Sequence, residues 1–488
     1  RVELGAVVPS AYFHRDLKIW DFFENRRSNR KFNYDPCRIL ELLVWNRISS
    51  PSSKKIAWES KNSFPRKCNF SLDDVYRGLD YLNSHSNNLV KHMNQSLESA
   101  RGPRNKKHLF YDVTNYYFEI EDEDGFRMRG VSKEHRPNPI VQMGLFLDTD
   151  GLPYDYEIFP GNTNDMITLL PALKKADIRN PTKDKKERTI IVADKGLNTS
   201  ENIAACLLDG NGYIFSQSVR KATKELKSWV LDDEGYEWYE GQNYKIKSRL
   251  SEKIVYITGE DGRRHKVKVP VKEVAFWSRK YFERSRHERA KVIEKSVNAL
   301  KRGDVSSALS RMSIKYAKDN PMVRKTGEKA QHNWSLNLEK IAAEEAMDGY
   351  YCIVTSEEEM PCQEIIDAYR DLWKIEESFR VLKGDFDARP VYVSREEHIR
   401  AHFLICYISL LIMRLMQLDT GQKYSARDIS EAVRNIVGHK LDKNLYLFDY
   451  RTAITDELGE VLGINLAKQV LSKSQIREML AQVKNPKI

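Results

Sequence analysis

The sequence predicts an α/β protein, and three observations carry that expectation. Aromatic and β-branched residues from His108 to Phe159 fall into strand-length runs separated by turn residues. Helical and strand-like segments then alternate as far as Phe215. After a β-rich stretch, a long helical pattern returns over Cys362 to Lys383.

Each segment has its own signal. Residues 1–105 read as a helical N-terminal domain. Leu40, Leu42, Leu43 and Val44 form an apolar knot, and Ser71-Leu-Asp-Asp74 is an N-cap pattern opening a helix through Val75, Leu79 and Leu82. Basic clusters (Arg26, Arg27, Arg30, Lys31; Lys54, Lys55) punctuate it, and Arg101 to Lys107 reads as a linker. Strands are expected at His108–Ile120, Pro139–Leu147 and Leu152–Phe159. A helix from Asn164, a buried strand at Arg188–Ala193, a helix at Ser200–Leu208 and a strand at Tyr213–Phe215 follow. Three strands able to run as a meander, then helix, strand, helix, strand, is the order of a ribonuclease-H-like core. Its first part spans 106–219. Residues 220–340 read as an insertion domain, all β from Trp229 to Ser278 with a hairpin turning at Asp261-Gly262, then a basic helix Arg279–Arg302. Residues 303–333 are polar and weakly patterned. The second core part is 341–420, with helices at Ser335–Ala346 and Cys362–Lys383, a strand at Tyr350–Thr355, and a helix over 403–416 opened by the capping-box pattern Ser394-Arg-Glu-Glu397. A helical C-terminal region closes the chain at 421–488.

Composition narrows the function. The 488 residues carry 80 Lys plus Arg against 70 Asp plus Glu, a net charge of +10 that points toward polyanionic partners. Six scattered cysteines with no CxxC pair exclude a disulfide scaffold or zinc ribbon and suit a reducing cytosol. The uncharged stretch Ala401–Met413 is too short for a membrane span of ~20 residues and reads as a buried helix. No signal peptide precedes the first apolar residues, and the chain opens at Arg1, which leaves room for a short missing N-terminal piece. No Walker A, Rossmann or nucleophile-elbow motif is present. His398 and His402 share a helix face, with no general-base Glu after the first His, and read as capping or packing residues.

Three carboxylates stand out. Asp112 lies in the middle of an apolar strand, where a charge is costly unless paired or metal-bound; it either faces solvent on an edge strand, pairs with a lysine, or ligates a metal. Asp194 ends the buried run Thr189–Ala193, at the carboxyl end of a strand, where it is a turn or N-cap aspartate or a ligand. On the helix 369–383, Ile375, Phe379 and Leu382 centre an apolar stripe. Glu376 flanks that stripe, beside Tyr369 and Lys383, and either pairs with Arg380 or ligates a metal; Glu377 points away and should be solvated. Two aspartates on strands and one glutamate on a helix would make an all-oxygen site for Mg²⁺ or Mn²⁺, two ions of which can drive in-line displacement at phosphorus.

The helix 369–383 resembles the Y-(2)-R-(3)-E-(6)-K signature of bacterial DDE insertion-sequence transposases. Tyr369, Glu376 and Lys383 fall on the spacing, and Trp373, Ile375, Phe379 and Leu382 match the accompanying run. Leu372 occupies the arginine position; Arg370 or Lys374 is left to supply that charge. Asp112 with Thr114 resembles the family's first D-x-T strand, and Ala193-Asp-Lys-Gly-Leu197 its second aspartate motif. Gly161-Asn162, Asp165 and the Asp348-Gly-Tyr-Tyr strand resemble the subgroup with a large insertion before the glutamate. The resemblance covers about 105–420. It implies catalytic, metal-binding Asp112, Asp194 and Glu376 with two Mg²⁺ (or Mn²⁺), and DNA contacts from Tyr369 and Lys383. It further implies binding to the terminal inverted repeats of an element, strand cleavage, joining of the 3′-hydroxyl to target DNA, and a dimer that synapses two ends.

Other cations extend the expected DNA surface. Trp277 to Arg289 mixes aromatics with Arg279, Lys280, Arg284, Arg286 and Arg289, suited to phosphates and an extruded base or to a solvated face laced with Glu283 and Glu288. Arg220, Lys221 and Lys195, with Lys374 and Arg380 on the signature helix, complete the set. The expected location is the bacterial cytoplasm, at the nucleoid, with no membrane. Two other readings remain: a related nuclease that cuts without joining, and a domesticated DNA-binding protein that no longer cleaves.

Overall fold

The computed structural model describes residues 1–27, 33–131, 136–179, 188–258, 262–301, 315–319 and 334–484. Arg30, Lys31, Asp261 and Arg302 lie outside the described residues, as does most of 303–333. The chain divides into two compact units, one made of 1–192, 205–211 and 370–488, the other of 193–204 and 212–369.

In the first unit, His108–Tyr117, Ile140–Leu147 and Pro153–Pro160 form an antiparallel meander. The tight turn before its third strand has Gly151 at φ +82°, a left-handed backbone that favours glycine. Strand order places His108–Tyr117 between Ile140–Leu147 and Ile190–Ala193, so it is internal. Ile140–Leu147 is buried along its whole length, as a strand covered on both faces must be.

Helices cover this sheet. Leu72–Arg101 opens with the expected capping box: Ser71 accepts from the Asp74 amide, and Asp74 accepts in turn from the Ser71 amide. Glu396–Asp419 is long and apolar enough to cross a membrane, but its residues from Ala401 to Met413 are all buried inside protein. Its opening differs from expectation. Arg395 stands at the N-cap, and no side chain, Ser394 included, caps it. The C-terminal region also departs from an all-helical reading. Beside helices Ala426–Asn435, Ala453–Leu462 and Lys473–Lys484 it contributes three short strands to a four-stranded sheet whose first strand is Val2–Glu3.

Two buried polar clusters tie the N-terminal helices to the rest of this unit. Glu41, on Pro36–Ser49, accepts from Ser10 (2.7 Å) and His14 (3.1 Å) and faces the guanidinium groups of Arg38 and Arg66. Burial raises the Glu41 carboxyl, but the His14 bond and the Arg38 and Arg66 charges outweigh it and hold the group well below the ordinary carboxylate range. Arg66 also donates to the Leu480 carbonyl, which joins the cluster to the C-terminal helix. Lys54 is buried with its ammonium 2.5 Å from His402 Nδ1, while His402 Nε2 donates to the Ala388 carbonyl (3.2 Å). Burial, with Arg47 adding to it, pushes the Lys54 amine down to about 7 and keeps His402 neutral. His402 is thus a packing residue, and His398 faces Asp80 (3.1 Å).

In the second unit, Gly212–Gln217, Tyr350–Thr355, Arg264–Ser278, Tyr244–Thr258 and Glu237–Tyr239 lie in that order, each antiparallel to the next. The stretch from Trp229 is not all β: Lys224–Leu231 is a helix, capped by Thr223, that buries Leu226 and Val230. The hairpin strands are far longer than expected, 15 residues each. Arg279–Lys301 is the expected basic helix. The predicted helix from Ser335 begins only at Leu338, because Trp334–Leu336 pairs as a strand with Ala317–Asp319. Cys37, Cys206, Cys352 and Cys406 are buried, with thiols raised by burial; Cys68 and Cys362 are half-buried, and none is bridged.

Glu41→Ala leaves two guanidinium groups without their carboxylate and should cost about 3–5 kcal/mol in a denaturant titration. The depressed Glu41 carboxyl contributes stability that is fully present above the ordinary carboxylate range and is lost as pH falls from that range through the lower folded value. For Lys54, whose folded value lies below its unfolded one, the cost of burying the charge is full below pH ~7 and fades as pH rises toward the unfolded value. The denaturation midpoint should therefore rise between about pH 7 and pH 10, and Lys54→Met should flatten that rise.

Candidate active site

The Asp112 strand presents Phe110, Asp112, Thr114 and Tyr116 on one face, by strand alternation. The structure does not keep Cys362–Lys383 as one helix. Cys362–Arg370 ends, Asp371 and Leu372 form a turn, Trp373–Arg380 resumes, and Val381–Asp385 winds wider, as a π turn. At the break the Lys374 and Ile375 amides reach back only three residues, to Asp371 (3.0 Å) and Leu372 (3.1 Å). Lys374 secures this tight turn by donating to Asp371 Oδ2 (2.9 Å) and the Thr149 carbonyl (3.0 Å). Aspartate is a poor residue for a helix interior, which favours a break here.

Trp373–Arg380 then lies along the Asp112 face. Lys374 stands over Phe110 (5.7 Å to the ring centre) and Lys383 over Tyr116 (5.5 Å). Between them Asp112, Thr114 and Glu376 line one open cleft of about 560 Å³, with Arg380, Lys383 and Arg389 on its rim. Asp112 is half-buried and sits on an internal strand, so the edge-strand reading falls. Glu376 is exposed, although it flanks the stripe of buried Ile375, Phe379 and Leu382. It makes no ion pair among the described residues. Arg380 turns instead to Glu377 (3.7 Å).

Glu377 corrects the expectation of a solvated side chain. It is half-buried and lies 3.6 Å from Arg414, whose guanidinium is itself buried and also donates to Ser378 Oγ (2.9 Å) and Gln417 (2.7 Å). Arg414 was missed as a partner, although a lone arginine in an otherwise apolar helix is a visible signal. The same side chains, Glu377 and Arg414, line a second cleft of about 660 Å³ with Trp373, Lys374, Glu376 and Tyr424.

Asp194 belongs to the second unit. It opens a short turn, as a turn aspartate would, but its side chain caps no backbone amide. Its Oδ1 accepts from Ser216 Oγ (2.9 Å) and from the Tyr369 hydroxyl (3.1 Å). Burial and the Asp194 charge raise the Tyr369 phenol, which therefore stays protonated as the donor. Ser216 was not singled out from sequence; a strand-end hydroxyl carries no distinguishing pattern.

The remaining cations divide. Arg279, Lys280, Arg284, Arg286, Arg220, Lys221 and Lys195 are exposed or half-exposed, with Arg284 paired to Glu288 (2.9 Å) and Arg220 to Glu344 (3.6 Å). Arg289 is a correction. It is buried, held by Asp348 and by Glu345 (3.5 Å), on the same helix face as the buried Ser296 and Ala299. The residue after Asp348, Gly349, has φ +78°, and a Cβ there would meet the Trp277 ring at 2.5 Å. Lys374 is likewise spent on the turn described above. Arg26 folds over the Phe22 ring (3.6 Å).

The donor set of the Asp112 cleft is oxygen alone, which fits a hard divalent cation and not zinc. Among the described residues, no group of three or more acidic, His or Cys side chains is gathered to metal-holding distance.

The cleft thus sets carboxylates on an internal strand and a packed helix beside three cationic side chains, within a mixed α/β fold. The transposase DDE domain model matches residues 104–412, well over half the chain. The chain belongs to that family and is a DDE transposase, an enzyme acting on DNA. Among solved structures, the cryo-EM structure of a piggyBac transposase synaptic complex with hairpin DNA is similar at 8% identity and a TM-score of 0.40, over 99% of this chain and 83% of that one. Comparison with curated proteins gives no match.

The two adjacent glutamates should separate cleanly. Glu376→Ala should leave thermal stability unchanged while abolishing DNA cleavage. Glu377→Ala strands the Arg414 charge and should cost about 1–3 kcal/mol of stability, read by denaturant titration.

Proposed function

We propose that this transposase binds duplex DNA at the terminal inverted repeats of an insertion sequence, hydrolyses a strand at the element end, and joins the freed 3′-hydroxyl to target DNA. The observation that carries this reading is the cleft lined by both Asp112 and Glu376, inside the span matched by the transposase family. Asp194 enters as the third catalytic carboxylate on its sequence motif. The ribonuclease-H-like core and the insertion at 220–340 belong to the same proposal.

Asp112, Asp194 and Glu376 would hold Mg²⁺ or Mn²⁺, two ions per site, and such ions supply a nucleophile at neutral pH and charge stabilisation at phosphorus. The protein's own residues do the positioning. Glu376, unpaired by its neighbours among the described residues, keeps both oxygens available. Tyr369 and Ser216 fix the orientation of Asp194 by hydrogen bonds to one oxygen, leaving the other open. Lys383, Arg380 and Arg389 on the cleft rim place positive charge where phosphates would lie. In the first reaction a P–O bond forms to water and the bond to the 3′-oxygen breaks, that oxygen leaving as the 3′-hydroxyl. In the second, that hydroxyl forms a bond to a target phosphorus while the target's own 3′-oxygen departs, so one phosphodiester replaces another. Two copies of the chain would hold two ends, in the bacterial cytoplasm.

An end-containing duplex incubated with Mg²⁺ and a target plasmid tests this. Cleavage and joining are both expected, and Asp112→Asn, Asp194→Asn and Glu376→Gln should each reduce them by a factor of about 10³ or more. Cutting without joining would make the protein a nuclease; binding with neither would make it a DNA-binding protein only.

A further inference from the structure

The second unit holds a feature that the catalytic reading does not use. Beyond Lys247 and before Lys272, the strands Tyr244–Thr258 and Arg264–Ser278 pair only with each other among the described residues, making a two-stranded ribbon. Directly opposed residues of an antiparallel pair share a face. One face carries Val255, Val271 and Lys253, and it is anchored: both valines are buried, and Lys253 donates to Asn198 (2.7 Å). The other face carries Leu250 opposite Lys272, Glu252 opposite Pro270, Ile254 opposite Lys268 and Tyr256 opposite Lys266. This face is open. Leu250 is 66% exposed, Ile254 39% and Tyr256 42%, while Lys266 and Lys268 are exposed.

Charge decides what such a face would hold. Arg264, Lys266 and Lys268 line one strand, Lys272 beyond them being half-buried and donating to the Met360 carbonyl (2.7 Å), and Glu252 is the sole acid facing them on the ribbon. Lys268 pairs with Glu252 (2.7 Å) across the strands, with both side chains more than half exposed, so that pair is readily exchanged for a phosphate. Arg264 stacks its guanidinium 5.1 Å from the Tyr256 ring and touches Glu201. Lys266 has no partner among the described residues. A two-stranded ribbon is also of a width that the major groove of B-DNA admits.

We infer that the open face of this ribbon is a duplex-DNA docking element, with Lys266 and Lys268 on backbone phosphates and Tyr256, Ile254 and Leu250 against the groove. The inference rests on the reading of the chain as an enzyme that acts on DNA, and adds a binding surface made of residues outside the cleavage cleft. Its contribution is affinity and register along the duplex, since phosphate contacts position while base contacts specify.

Binding of the full chain to a random-sequence duplex of about 30 base pairs, followed by anisotropy across a salt series, tests it. Lys266→Gln with Lys268→Gln should lower the slope of log affinity against log salt by about 1 for each phosphate no longer neutralised. Tyr256→Ala should weaken binding with the slope unchanged. All three side chains are exposed, so unchanged thermal unfolding should accompany both results. If wild-type protein binds and the lysine variant keeps the wild-type slope, the ribbon assignment is overturned while the cleavage reading stands. If those substitutions change oligomeric state and leave DNA affinity untouched, the face is a self-association surface and the assignment is likewise overturned. If wild-type protein fails to bind duplex DNA at all, the transposition reading itself falls.

Discussion

An apolar helix of 24 residues must be covered on every side, and in the first unit Glu396–Asp419 imposes that demand on everything around it. Its aromatic contacts reach two strands of the meander: Phe403 lies edge-on to Tyr116 (4.8 Å) and Tyr407 lies against Tyr156 (4.9 Å). Its polar groups find partners elsewhere in the unit. Arg400 holds Glu157, His402 holds the Ala388 carbonyl, and Arg414 holds Glu377 and Ser378. Through these contacts the helix fixes the strand bearing Asp112 and the segment bearing Glu376 against one scaffold. Removing water from so many side chains supplies the driving force, and the buried polar groups set the register.

Within that scaffold the cleft arises from two different periodicities. A strand repeats every two residues, so Phe110, Asp112, Thr114 and Tyr116 line up on one face. The facing segment meets them with Lys374, Glu376 and Lys383, whose lysines ride over the outer two aromatic rings. The carboxylates are left between them.

Much of this was legible in the sequence. Strand positions followed from β-branched and aromatic runs, and the burial of Ile375, Phe379 and Leu382 followed from helical spacing; the same spacing set Glu377 in solvent and Glu376 beside the stripe, whereas Glu376 is the more exposed of the two. Arg289 was not legible: on the sequence it is one more cation of a basic helix, and its burial depends on Asp348, an acid that follows that helix in a separate segment. Other features depend on contacts between distant parts of the chain. Glu377 looks solvated on a helical wheel because the wheel cannot show Arg414 arriving from another helix. The bond from Lys374 to the Thr149 carbonyl joins residues 225 apart, and the short strands of the C-terminal region depend on Val2 and Glu3, more than four hundred residues away. Local propensity could not anticipate either contact.

The cysteines carry a practical corollary. Four are sealed in the interior with thiols that resist ionisation, and burial also pushes Cys68 up to about 12. Cys362 is the sixth, and it keeps partial solvent access at the start of the helix that ends near Tyr369 and its bond to Asp194. The native chain therefore arrives with its own address for a maleimide dye or nitroxide spin probe, on the helix whose last turn carries Tyr369.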